Sequence, residues 1–155
     1  MARRTINASA KTARGQAAKS GRTFLFRLPQ GTDILEEIAA FCQKRRILCA
    51  TVQIIGATSK VTIGYYDQKL HDYHKKTFRQ EMEILSCAGN VSLKDGKPFL
   101  HLHATMGDTK LKVWGGHLFS GSKVFAAEAH ILELKGPLLV RRPDPATGLL
   151  LWHCP

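Results

Sequence analysis

Three histidines stand where a β-sheet could gather them around one cation. His101 and His103 lie two residues apart within Phe99-Leu100-His101-Leu102-His103-Ala104-Thr105-Met106. Strand alternation sends Leu100, Leu102, Ala104 and Met106 to one face and His101, His103 and Thr105 to the other. Two residues of strand separate their backbones by about 6.5 Å, a span that lets both imidazoles reach a single ion. Gly115-Gly116-His117 offers a third imidazole, the glycines permitting close backbone approach just before it. A turn near Gly107-Asp108 would set this strand beside the first. Three neutral imidazoles with an open fourth position suit zinc, and also iron, nickel or copper. Water bound at such a site becomes acidic enough to attack near neutral pH. The competing reading is that histidines on a polar sheet face need no metal.

Glu128 and His130 alternate onto one face of the following strand. Glu128 is therefore a candidate catalytic base, additional ligand or orienting carboxylate, against the alternative of a surface acid paired with a lysine. His130 reads as a hydrogen-bonded structural residue, and His71, His74 and His153 as solvent-facing. The sequence contains no GxSxG nucleophile turn, no phosphate-cradling P-loop and no HExxH. Gly56-Ala57-Thr58-Ser59 reads as a small-residue turn, either an ordinary loop or one whose amides could meet an anion.

The elements that must position the histidines follow from periodicity. Thr23 to Leu28 suits a strand, broken by Pro29-Gln30-Gly31. Asp33 is placed to cap a helix, with Glu36 completing a capping box and Ile34, Ile38, Phe41 and Cys42 sharing one face. Lys44, Arg45 and Arg46 then fall where the helix dipole favours cations. Strands are expected over Leu48–Ile55, Val61–Tyr66, Phe78–Cys87, Asn90–Leu93, Phe99–Met106, Lys112–Leu118 and Val124–Leu134. Breaks are expected at Gly56, Asp67-Gln68, Asp95-Gly96, Gly107-Asp108 and Ser120-Gly121-Ser122. One helix and a mostly antiparallel sheet make an α+β domain. Leu149-Leu150-Leu151-Trp152 is expected to pack as an edge strand or against a neighbouring subunit.

A chain of 155 residues that is 44% hydrophobic holds one core, so a single domain over residues 22–155 is expected after an arm spanning 1–21. No apolar run approaches the roughly 20 residues of a membrane span, and no secretory apolar block precedes the domain. Cys42, Cys49, Cys87 and Cys154 form no CxxC pair, which points to a reducing cytoplasm. The net charge is +11. Much of it sits on Arg3, Arg4, Lys11, Arg14, Lys19 and Arg22, with no acid among them. Such an arm suits electrostatic contact with DNA or another polyanion; the alternatives are a solvated disordered tail or a transit peptide.

The ordered series Arg22-Thr23-Phe24-Leu25-Phe26-Arg27-Leu28, Gly64-Tyr65-Tyr66-Asp67, Met82-Glu83-Ile84-Leu85-Ser86, Gly89-Asn90, Asp95-Gly96-Lys97-Pro98-Phe99, His101-Leu102-His103 and Gly115-Gly116-His117-Leu118 resembles the plant and prokaryote conserved (PPC) domain in its stand-alone prokaryotic form. The resemblance runs from about Arg22 to Leu134. It implies a strongly curved antiparallel sheet with one principal helix, a homotrimer, a divalent metal site at His101, His103 and His117, and a role as a DNA-binding or DNA-associated regulator of transcription. No Arg-Gly-Arg-Pro core of an AT-hook is present, so minor-groove reading by the arm is not implied. The alternative function is a metal-dependent enzyme acting on a small molecule, of hydrolase or lyase type.

Overall fold

A computed structural model describes residues 15–136 and 138–153. The first strand, β1 (Lys19–Leu28), leads to the helix α1 (Ile34–Arg45) and then to β2 (Ala50–Asp67), β3 (Asp72–Phe78), β4 (Met82–Lys94), β5 (Lys97–Asp108) and β6 (Val113–Lys135). A short ribbon, β7 (Arg141–Pro143) and β8 (Leu150–Trp152), follows. The six long strands form one antiparallel sheet in the order β1-β6-β5-β4-β2-β3, and β6 also pairs with β2. That extra pairing bends the sheet back on itself, so β2, β4, β5 and β6 make a closed ring. This is the strongly curved α+β architecture expected from the sequence.

The helix forms as its residues dictate. Asp33 accepts from the amides of Leu35 and Glu36 at 3.0 and 3.2 Å, satisfying two of the donors a helix start leaves open. Glu36 does not complete a capping box; its carboxylate accepts from the Ser120 hydroxyl at 3.3 Å. Ile34, Ile38 and Cys42 are buried, and Phe41 stacks on Phe26 with ring centroids 4.2 Å apart. Arg46 ends the helix in the left-handed region at φ 55°.

Strand length is where the sequence reading is corrected. The expected breaks at Gly56 and Ser120-Gly121-Ser122 lie inside strands, and the two strands expected over Phe78–Cys87 and Asn90–Leu93 are joined in the continuous β4. Gly56 is a bulge whose register shifts against β4, and a Cβ there would run into the Ala126 carbonyl. Gly56-Ala57-Thr58-Ser59 is therefore strand, not an anion-receiving loop. Ser120-Gly121-Ser122 is also an irregularity, seated on the helix cap: the Gly121 amide and Ser120 hydroxyl donate to Asp33. Strand β3 was not expected over its length because Asp72-Tyr73-His74-Lys75-Lys76 is polar and mostly exposed, as suits a sheet edge. The Asp95-Gly96 hairpin holds, with φ of 51° and 74°, the paired positive values of a type I′ turn.

The domain also starts earlier than Arg22: Lys19 pairs with Lys135 and Ser20 with Leu134. Arg3, Arg4, Lys11 and Arg14 lie outside the described residues. Among those described, no helix is long and apolar enough to cross a membrane. Cys42, Cys49 and Cys87 are buried and unpaired, whereas Cys154 lies outside the described residues.

Candidate metal centre

The ring of strands brings the histidines together by register. His103 of β5 faces His117 of β6 directly, and His117 in turn faces Gly64 of β2. His101, two residues earlier on the same face of β5, lies opposite Asn90 of β4. Gly116 lets β6 approach β2 this closely, since a Cβ there would lie 2.5 Å from the Gly64 carbonyl oxygen. Gly115 is under no such constraint, its nearest neighbour being the Ala104 carbonyl oxygen at 3.5 Å. Of the two glycines, the one next to the histidine is the structural requirement.

One ring nitrogen from each of His101, His103 and His117 falls within 4.8 Å of the others. Ring centroids are 5.0 to 5.4 Å apart, and Nε2 of His101 lies 3.2 Å from Nε2 of His103. Burial and the positive charge of Arg141 depress the His101 imidazole to about 4; burial and its neighbouring histidines do the same to His117. Both are therefore neutral near pH 7, with lone pairs free to coordinate. Nδ1 of His117 is buried without a hydrogen-bond partner, an omission that costs about 1–3 kcal/mol. Three convergent imidazoles, with His101 and His117 held neutral and one nitrogen orphaned, fit a borderline-soft divalent cation, zinc foremost.

The cluster opens on a pocket of about 730 Å³ walled by Tyr66, Tyr73, Phe99, Arg141 and Leu150 as well as the histidines. Burial raises the Tyr73 phenol above its ordinary pKa, so near neutrality it is a hydrogen-bond donor. The C-terminal ribbon closes one side. Tyr66 Oη donates to the Thr147 carbonyl at 2.7 Å, and Arg141 reaches down to Ser92 and Asn90.

Other candidate residues fall elsewhere. Glu128 pairs with Arg27 and Ile55 and lines a separate cavity of about 520 Å³ with Leu25 and His130. It belongs neither to the histidine cluster nor to the lining of its pocket. His130 approaches Gln53 Oε1 at 3.5 Å. Arg22, counted with the polyanion-binding arm, is instead committed internally: Nε and Nη2 donate to the Glu133 carboxylate at 2.8 and 2.9 Å. The Arg22 bonds and charge hold that carboxyl at about 2. Lys19 remains exposed at the start of β1. His74 and His153 are exposed as expected, whereas His71, also exposed, borders the histidine pocket. Sequence reasoning missed Tyr73, because its polar strand was not foreseen, and Arg141. The signal for the latter was a single arginine run between Leu138-Leu139-Val140 and Leu149-Leu150-Leu151.

Residues 15–135 match the Plants and Prokaryotes Conserved (PCC) domain. The chain belongs to this family. The PCC fold is shared with a metal-containing protein of Archaeoglobus fulgidus, 42% identical, covering 91% of this chain and 99% of that one with a TM-score of 0.87. A candidate DNA-binding protein of Bacteroides thetaiotaomicron is 28% identical, covering 88% and 97% of the two chains with a TM-score of 0.79. A bifunctional GlmU protein of Synechococcus is 32% identical over 149 residues, which are 94% of this PCC chain and 23% of that protein. The chain thus spans about a quarter of the length of this curated relative. Arg141 and the β7–β8 ribbon lie beyond the segment matched to the PCC domain.

Proposed function

We propose that this PCC protein is a divalent-metal protein, zinc being the first candidate, with His101, His103 and His117 as ligands and an open coordination position facing a small-molecule pocket. The observation that carries the reading is the convergence of three ring nitrogens within 4.8 Å at the floor of that pocket. The metal content of the A. fulgidus relative supports it. A cation held there supplies Lewis-acid polarisation and an acidified water. The chain's own part follows from its residues: the imidazoles present lone pairs, Phe99 and Leu150 exclude water, and Tyr73 Oη offers a donor. With Glu128 outside the pocket lining and Tyr73 within it, a reaction at this site would draw its proton donor from Tyr73. Metal analysis of untagged protein tests the reading. About one equivalent per chain is expected, lost in His103→Ala; equal, negligible metal in both would overturn it.

A second reading, DNA association by a homotrimer, rests on the +11 charge, the acid-free N-terminus and the candidate DNA-binding relatives. Leu25 and Ile55, which are 79% and 58% exposed, line one outer cavity of the sheet and offer an apolar patch that suits self-association. Three basic arms on one trimer would gain avidity along a duplex without base readout. Light scattering should then give three chains per particle. DNA affinity should fall steeply with salt and weaken when residues 1–14 are deleted. A monomer whose weak DNA binding ignores salt would rule the reading out. The unpaired buried cysteines fit a reducing cytoplasm.

A further inference from the structure

Among the described residues, Arg141 is a buried cation without a buried anion. It is 8% exposed, and withdrawing a guanidinium from water costs several kcal/mol unless an opposite charge offsets it. Nε donates to Ser92 Oγ at 2.8 Å, Nη1 to the Leu150 carbonyl at 2.9 Å and Nη2 to Asn90 Oδ1 at 2.9 Å. All these acceptors are neutral. A guanidinium carries five N–H donors, so two are left without an acceptor among the described residues. Neither ion pair found among those residues includes Arg141. Asp72, the one acid lining the pocket, is exposed at its edge and accepts instead from the Tyr73 amide at 2.7 Å.

The position of this charge is as informative as its isolation. Asn90, which holds Nη2, is the cross-strand partner of His101, so the guanidinium hangs from the residue facing the histidine cluster. Both groups line the same pocket. The guanidinium lies beside Phe99, 5.2 Å from its ring centroid, and Tyr73 and Leu150 complete an otherwise carbon-rich wall. About 730 Å³ is the size of a small-molecule site.

We infer that this pocket binds a small organic carboxylate, whose two oxygens meet the free N–H groups of Arg141 and whose carbon skeleton lies against Phe99 and Leu150 towards the histidines. A planar fork matches the carboxylate plane. Phosphate, with more oxygens and nearly two charges, asks for more donors than the two left free. The Arg141 contact stands on this chain's own atoms. Only a contact at the histidine end rests on the proposed metal site.

The test is calorimetry on the full chain, metal-free and zinc-loaded, with acetate, malonate and succinate, their methyl esters, and inorganic phosphate as probes. At least one carboxylate should bind metal-free protein and its ester should not. Arg141→Lys, which keeps the charge but loses the fork, should raise the dissociation constant about tenfold or more. In unsubstituted protein the ¹⁵Nε resonance of Arg141 should shift on carboxylate addition, a readout that does not depend on a variant folding. Phosphate binding as tightly as every carboxylate, or no shift at Arg141 at millimolar carboxylate, would overturn the inference. Zinc titration without carboxylate reads the histidines separately, so either assignment can fail while the other stands.

Discussion

The two ends of β6 handle polar groups in opposite ways. At the C-terminal end Glu133 is buried but fully partnered: Arg22 supplies its backbone amide, Nε and Nη2. The bulge between Ser20 and Thr23 is what allows this, because Gly21 has no Cβ to strike the carboxylate. At the N-terminal end His117 keeps an orphaned Nδ1, and Arg141 nearby has no ion-pair partner among the described residues. A polar group satisfied inside the chain is structural. A set of buried polar groups left unsatisfied around one cavity marks where something from outside binds.

The comparison breaks most visibly through the metal. His117→Ala should weaken zinc affinity by about a hundredfold or more, since even outer partners of metal ligands are worth 10- to 100-fold. Competitive chelator titration would read this, and an unchanged affinity would remove His117 from the ligand set. Gly116→Ala should cost about 2–3 kcal/mol in chemical denaturation, because the new methyl meets the Gly64 backbone.

Acid separates the two ends. Folded His101 and His117 protonate only near 4, against 6.5 ordinarily. The unfolded chain therefore takes up protons first, and metal-free protein should lose about 2 kcal/mol as pH falls through that window. Glu133 acts lower, its folded carboxyl at about 2 against 4.5; its stabilisation is intact above 4.5 and fades as pH falls towards 2. Stability measured against pH in wild type and Glu133→Gln should differ most above 4.5, by about 1–2 kcal/mol given partial solvent screening of Arg22. A difference unchanged down to pH 2 would deny the pair its assigned role. Smallest of all, Glu128→Ala should leave zinc affinity and stability within about 0.5 kcal/mol of wild type.

What was legible in the sequence was local. Alternation alone places His101 and His103 on one face, and the helix, its Asp33 cap and the Asp95-Gly96 turn all follow from short-range chemistry. The continuity of β2, β4 and β6 was not legible, because Gly56, Gly89 and Gly121 look like turns when their role is to relieve crowding or form bulges where strands pack. The internal use of Arg22 depends on Glu133, 111 residues away. Arg141 required the same long-range knowledge: only the folded ribbon shows that it shares a cavity with the histidines. Distant pairing, rather than residue type, separated the charges that bind outward from those that bind inward.

The most direct test of the central claim is X-ray absorption at the zinc edge of protein reconstituted with one equivalent of metal. Three imidazole nitrogens at about 2.0–2.1 Å, with one or two lighter scatterers from water or carboxylate, are the predicted shell. A shell of oxygen ligands alone, without imidazole multiple scattering, would contradict the account.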